Sequence, residues 1–408
     1  MSVPPPGLSP SFLPYGRQVI EDDDIAAVVE VLKGDFLTTG PTVDAFEAAC
    51  AKALDVPYAV TCSSGTAGLH LATLALGLGP GDAVVVPSVT FLASANCAAY
   101  VGADVAFADV NSDTGLMEVP HAEAAAARAG RDRVKAIVAV HLNGHCVDVA
   151  ALASAFPGVP IIEDACHALG GRMRGGDQAW HTVGACPDSA IAMFSTHPVK
   201  TIATGEGGVM TTRDPVLDER MRRMRNHGMV RDPERFTERD RAFDSKGAAN
   251  PWYYEMPEPG FNYRLSDIHA ALGIRQLAKL PRFVAARRAL RARYADRLDR
   301  LCPHIRALPV AAGCEPSWHL SVALVDFAAL GIERAAVMNA LRAEGIGTQV
   351  HYAPVHLQPY YRATHPTPEL PGAAAYYARC LSLPLFPTMT NADVDRVVDA
   401  LARVTGVG

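Results

Sequence analysis

Short apolar runs alternate with amphipathic stretches through the first half of the chain, and that alternation predicts its architecture. Tyr58-Ala59-Val60-Thr61, Ala83-Val84-Val85-Val86, Val105-Ala106-Phe107-Ala108, Ala136-Ile137-Val138-Ala139-Val140 and Pro160-Ile161-Ile162-Glu163-Asp164 carry apolar residues at consecutive positions. Runs of that length and pattern read as strands covered on both faces. Helical stretches such as Thr66 to Leu76 and Val147 to Phe156 separate them. The succession from about residue 22 to 215 predicts an α/β fold, a mostly parallel sheet between two layers of helices.

The pattern changes further along. Residues 231–258 are polar and charged around Trp252-Tyr253-Tyr254, as expected of a long surface loop. An Arg- and Ala-rich block from Ser266 to Leu301 predicts helix, interrupted at Pro281. From Trp318 onward short strands and helices mix in an α+β manner. The expected division is a flexible tail over 1–13, a large domain over 14–270 holding the 231–258 insertion, and a smaller α+β domain over 271–408.

Composition narrows the function classes. The chain has 408 residues, 49% hydrophobic and 20% charged, with a formal net charge of −6 and a pI near 6.2. This is the profile of a globular protein. No Lys/Arg block suggests nucleic acid or an acidic membrane as a partner. Nine scattered cysteines form no C-x-x-C pair, and no signal peptide or membrane span is visible. Reduced thiols in a cytoplasm are the expectation.

Candidate chemistry centres on Lys200. It lies between the β-rich runs Ser189 to Phe194 and Val209 to Thr212, while Asp164 ends another strand. A single lysine is more often a solvated surface charge. A lysine and an acid so placed are what pyridoxal phosphate chemistry requires, an amine for a Schiff base and a carboxylate for the pyridine nitrogen. Ser63-Ser64-Gly65-Thr66-Ala67 follows a strand and opens a helix, where small residues and free N–H groups suit a phosphate. Read alone it is an ordinary helix cap; Ser195 offers a second hydroxyl for the same anion. Phe91, at a strand-to-helix turn, could stack on a flat ring or simply fill core. His167, three residues after Asp164, is either a ring-side donor or a satisfied polar residue. Asn262 and Arg264 lie in a loop leading into a helix capped by Ser266. No metal site is expected: Asn143-Gly144 separates His141 from His145, and no zinc-type spacing occurs. Gly205-Glu206-Gly207-Gly208 does not fit a dinucleotide fingerprint.

Together these residues resemble the DegT/DnrJ/EryC1/StrS sugar aminotransferases, fold-type I pyridoxal phosphate enzymes. The resemblance spans nearly the whole chain, from Pro14-Tyr15-Gly16-Arg17 through Leu37-Thr38-Thr39-Gly40-Pro41, Glu206-Gly207-Gly208, Arg225-Asn226-His227-Gly228 and Asn262-Tyr263-Arg264. It implies an aspartate aminotransferase-like fold and pyridoxal phosphate, alternating with its pyridoxamine form, as cofactor. It implies that Lys200 carries the cofactor and moves protons, Asp164 pairs with the ring nitrogen, Phe91 stacks on the ring, and His167 sits near the phenolic oxygen. Gly65, Thr66 and Ser195 would hold the phosphate, joined by Asn262 from a second copy in a homodimer with shared sites. Thr38, His227, His351 and Tyr352 match positions near a nucleotide-sugar. Lysine rather than histidine at position 200 goes with amination rather than dehydration.

Within the family, Phe91, His167, the Pro251 to Met256 segment and Gln349 to Val355 resemble members of pseudaminic acid biosynthesis. The implied reaction moves an amino group from L-glutamate to C4 of a UDP-linked 4-keto-6-deoxy-N-acetylhexosamine. Two alternatives stand beside it: another 3- or 4-keto sugar on UDP, GDP or dTDP, and a non-catalytic protein that keeps the fold for binding.

Overall fold

The computed structural model describes residues 12–407, so the tail expected over 1–13 lies outside the described residues except at its end. There Leu13 is fixed, its N–H donating to the Gly345 carbonyl (2.8 Å) and its carbonyl accepting from Gly347 (2.7 Å). Strands follow in the order β1 (Tyr58–Cys62), β2 (Ala83–Pro87), β3 (Asp104–Ala108), β4 (Val134–Val140) and β5 (Ile161–Asp164). The short strands β6 (Arg172–Arg174) and β7 (Trp180–Thr182) precede β8 (Ile191–Ser195) and β9 (Gly208–Thr212).

Seven of these form one sheet in the order β1-β9-β8-β5-β4-β2-β3. β9 runs antiparallel to both β1 and β8, and every other pairing is parallel. β2 and β9 are buried at all five positions, which requires cover on both faces. Helices such as Gly65–Ala75, Leu92–Tyr100 and Val119–Ala129 pack against it. The expected parallel sheet is present, with the strand after Lys200 as its antiparallel member.

The remaining strands are β10 (Ile305–Ala307), β11 (Cys314–Glu315), β12 (Ser321–Val325) and β13 (Cys380–Leu383). β10, β12 and β13 make a small antiparallel sheet, and β11 joins β6 and β7. Two apolar cores result, the larger around the seven-stranded sheet and the smaller around β12, β13 and helix Asn391–Thr405.

One local expectation is corrected. The helix around Pro281 is not interrupted: Asp267–Asp299 is one helix of 33 residues with Pro281 inside it. Proline removes one N–H, but Leu280 and Phe283 on either side are buried in the larger core and hold the backbone in place. The same helix places Leu277, Leu280 and Phe283 in the first core and Leu290, Tyr294 and Leu298 in the second. The expected division near residue 270 lies in the first turn of this helix, which joins the two cores. The 231–258 segment is partly ordered, with helix Arg239–Ala242 and bridges Val230 to Glu255 and Phe243 to Ala249. Glu255 accepts from the N–H groups of Thr237 and Glu238, and so closes the loop on itself.

Candidate active site

One cavity opens where β1, β2, β4, β5 and β8 end, the edge at which open α/β sheets bind ligands. Asp164 at the end of β5 is buried and wrapped by donors. Ser94 Oγ donates to its Oδ2 at 2.6 Å, and the Cys166 N–H donates to its Oδ1 at 3.3 Å. Thr90 Oγ1 lies 2.6 Å from Ser94 Oγ. Beneath, Glu163 points the other way, as strand alternation requires. It accepts from Ser189 and lies 2.9 Å from His141 Nε2, so His141 belongs to the scaffold.

Lys200 lines the cavity from the loop after β8, its N–H donating to the His197 carbonyl at 2.8 Å. Burial pushes its ammonium below the ordinary range, opposed by Cys166 and Asp164. Desolvation thus makes the free amine easier to reach. His167 is buried, and desolvation followed by the Lys200 charge pushes it well below the usual histidine value.

Helix Gly65–Ala75 starts at the cavity. Ser64 Oγ caps it by accepting from the Ala67 N–H (3.1 Å), whereas the N–H groups of Gly65 and Thr66 have no acceptor among the described residues. A Cβ on Gly65 would stand a tight 3.1 Å from Ser195 Cβ, narrowing the space between the two elements. Free N–H groups, a helix N-terminus and two hydroxyls around a gap that a side chain at Gly65 would crowd fit a phosphate. An aromatic ring has room beside Phe91, which is 53% exposed and whose ring lies 5.9 Å from Tyr352. The donor-wrapped carboxylate, the desolvated lysine and the phosphate cradle together fit pyridoxal phosphate.

Of the residues singled out from sequence, Gly65, Thr66, Phe91, Asp164, His167, Ser195, Lys200, His351 and Tyr352 share this cavity. Thr38, His227 and Asn262 do not line it. Asn262 pairs with Asn226, the His227 N–H donates to the Phe261 carbonyl, and Thr38 pairs with Ser266, all on exposed or partly exposed chain. Arg264 is spent on Asn226 Oδ1 at 2.7 Å. Sequence reasoning passed over Tyr15, Ser94 and His319. Tyr15 lines the wall 5.5 Å from the His351 ring, and the His319 ring lies 4.5 Å from that of His167. Ser94 had a legible signal, a hydroxyl in the first turn of the helix that follows Phe91; His319 had none.

Residues 18–402 match the DegT/DnrJ/EryC1/StrS aminotransferase family. Among solved structures, the chain is similar to the aminotransferase TlmJ of Streptoalloteichus hindustanus, at 30% identity and TM-score 0.84 over 97% of this chain and 99% of that one. Spr1654 of Streptococcus pneumoniae, described as a sugar aminotransferase and solved in its PLP form, is 26% identical with TM-score 0.84 over 97% and 99%. PseC of Helicobacter pylori, an aminotransferase of pseudaminic acid biosynthesis, is 27% identical with TM-score 0.84 over 97% and 99%.

Proposed function

We propose a substrate and residue roles for this chain, which belongs to the DegT/DnrJ/EryC1/StrS aminotransferase family and is a pyridoxal-phosphate-dependent sugar aminotransferase. The reading is that it moves an amino group from L-glutamate to C4 of a UDP-linked 4-keto-6-deoxy-N-acetylhexosamine. The observation that carries the catalytic part is the meeting of Lys200, Asp164 and the Gly65–Thr66 cradle in one cavity. Likeness to PseC over nearly the full chain supports the sugar.

When bound, pyridoxal phosphate supplies an aldehyde for the lysine amine and a ring that draws electrons from the C–H bond being broken. Lys200 Nζ would be the amine that holds it, and would be free for proton transfer while the donor amine is bound. The freed amine removes the proton from Cα of glutamate and, in the second half of the cycle, delivers one to C4 of the sugar. Asp164, wrapped by the Ser94 hydroxyl and the Cys166 N–H, would keep a proton at the ring nitrogen. The N–H groups of Gly65 and Thr66, with the Thr66 and Ser195 hydroxyls, bind the phosphate. Phe91 would flank the ring, and His167 would sit on the side of its phenolic oxygen. His351 and Tyr352 form the wall that meets the sugar.

A homodimer completes the reading. Phe36 and Leu37 beside Thr38 are exposed apolar residues, and Asn262 faces outward where a second copy could use it at its own phosphate. His227 and Thr38 would likewise serve the neighbouring site. A cytoplasmic location accords with nine free thiols, and no helix among the described residues is long and apolar enough to cross a membrane.

The test is a panel of 4-keto UDP-, GDP- and dTDP-sugars offered with L-glutamate, with aminated product measured. The UDP-N-acetyl-4-keto sugar should give the highest kcat/KM; preference for a dTDP or GDP sugar would move the assignment to that substrate. Lys200→Ala should lose the visible absorbance band and turnover together.

A further inference from the structure

The turn after β4 contains a non-glycine residue in the left-handed region, Asn143, with φ 64° and ψ 0°. It is fully buried, and three separated parts of the chain converge on it. Its backbone N–H donates to His167 Nδ1 at 3.2 Å. Its carbonyl accepts from the N–H groups of His319 (3.0 Å) and Leu320 (3.3 Å). Its side-chain Nδ2 donates to Tyr376 Oη at 3.1 Å, on the buried side of helix Pro371–Arg379.

A ring nitrogen that accepts a hydrogen bond carries no hydrogen of its own. His167 Nδ1 is therefore the bare nitrogen. Burial, with Lys200 nearby, keeps the ring neutral, so its single proton sits on Nε2. Nε2 lies 3.3 Å from Tyr352 Oη, which then accepts. Burial pushes the Tyr352 phenol upward, so it keeps its hydrogen, and Tyr352 lines the cavity. That hydrogen has no acceptor among the described residues.

We propose that Asn143 is a positioning residue that sets the direction of a hydrogen-bond chain: Asn143 N–H to His167 Nδ1, His167 Nε2–H to Tyr352 Oη, and Tyr352 O–H into the cavity. The site thereby presents a neutral donor to an oxygen acceptor of the substrate. Left-handed backbone aims the N–H at the imidazole, asparagine tolerates that conformation better than most residues, and the Tyr376 hydroxyl holds its side chain. The following Gly144 cannot be replaced freely, since a Cβ there would lie 1.9 Å from the Ser317 carbonyl oxygen. Only the identity of the acceptor rests on the aminotransferase reading.

Long-range proton–nitrogen correlation spectra of protein labelled with 15N-histidine read the tautomer directly. The His167 signals are assigned by their loss in His167→Gln, and both the as-purified and the cofactor-stripped protein are measured. The expected result at neutral pH is a neutral ring protonated at Nε2 in both; an Nδ1–H tautomer or an imidazolium overturns the proposal. Asn143→Ala, which disfavours the left-handed backbone, should give a mixture of tautomers, and Asn143→Gly, which adopts it freely, should restore the Nε2–H form. A pure Nε2–H signal in a folded Asn143→Ala protein would remove Asn143 from the role. Should the alanine variant not fold, the unmodified protein's spectrum still decides the direction. The tautomer of the stripped protein is independent of cofactor and sugar, whereas loss of the visible band concerns the cofactor alone, so the two readings fail separately.

Discussion

Ser94 offers a sharp test of how Asp164 works. Its hydroxyl donates to Asp164 Oδ2 at 2.6 Å and is itself 2.6 Å from Thr90 Oγ1, with all three side chains buried. Hydrogen bonds to a charged group contribute roughly 1.5–3 kcal/mol. Ser94→Ala leaves the carboxylate charge less shared, so it draws the ring-nitrogen proton toward itself and weakens the pull on the donor's Cα–H bond. With about 1.4 kcal/mol per tenfold in rate, full expression of that loss slows the glutamate half-reaction by about 10- to 100-fold. The assay is rapid mixing of loaded enzyme with L-glutamate, following loss of the visible band, with cofactor occupancy checked beforehand. Thr90→Val, one bond further away, should cost less. In an Asp164→Asn background Ser94→Ala should add nothing, because the charge it supports is gone. An unchanged half-reaction rate in a fully loaded Ser94→Ala enzyme would refute the reasoning.

Glu47 is buried between Arg225 and Arg222 at 2.5 Å each and accepts from the Thr61 N–H. Glu47→Gln should destabilise by about 3 kcal/mol, the lower part of the range for a broken buried pair because Arg222 is partly open to solvent. Burial raises the Glu47 carboxyl, but Arg225 and Arg222 outweigh it and hold it below the ordinary value. A depressed acid contributes stability above its unfolded pKa, near 4.3. The gap between the two proteins in urea titrations should therefore narrow as pH falls below about 4.3; a gap that widens would contradict the sign. Gly144→Ala meets both a left-handed φ and the Ser317 carbonyl and should reduce soluble yield and Tm. Leu37→Asp, on the exposed apolar stretch, should shift sedimentation toward smaller species and weaken cofactor retention if Asn262 acts across an interface.

The strands were legible because covered strands show consecutive apolar residues, and β2, β4 and β5 lie where that pattern placed them. The meeting of Lys200, Asp164 and the loop around Gly65 in one cavity was legible because such residue types stand at or just beyond strand ends. Pro281 misled because its local cost is fixed by the residue while its compensation comes from tertiary packing on Leu280 and Phe283. His319 and Asn143 were invisible for a different reason. Their roles arise from contacts over long separations, with His167 in one case and with both His167 and Tyr376 in the other. Thr38, His227 and Asn262 do not line the cavity within one chain, so the role proposed for them rests on the proposed homodimer.

The place of β9 in the sheet has a consequence for how the chain is made. β1 stands at the sheet edge, and its sole partner there is β9, some 150 residues later. During synthesis β2, β3, β4 and β5 can pair among themselves well before residue 208 leaves the ribosome, while β1 waits as an open edge. The loop that follows it, Ser63 to Thr66, waits too, and Ser63 N–H finds its acceptor only at the Tyr263 carbonyl. If that loop holds the cofactor phosphate as proposed, its competence comes late in translation, and a nascent chain arrested before residue 208 should hold a partial sheet with no capacity for the cofactor.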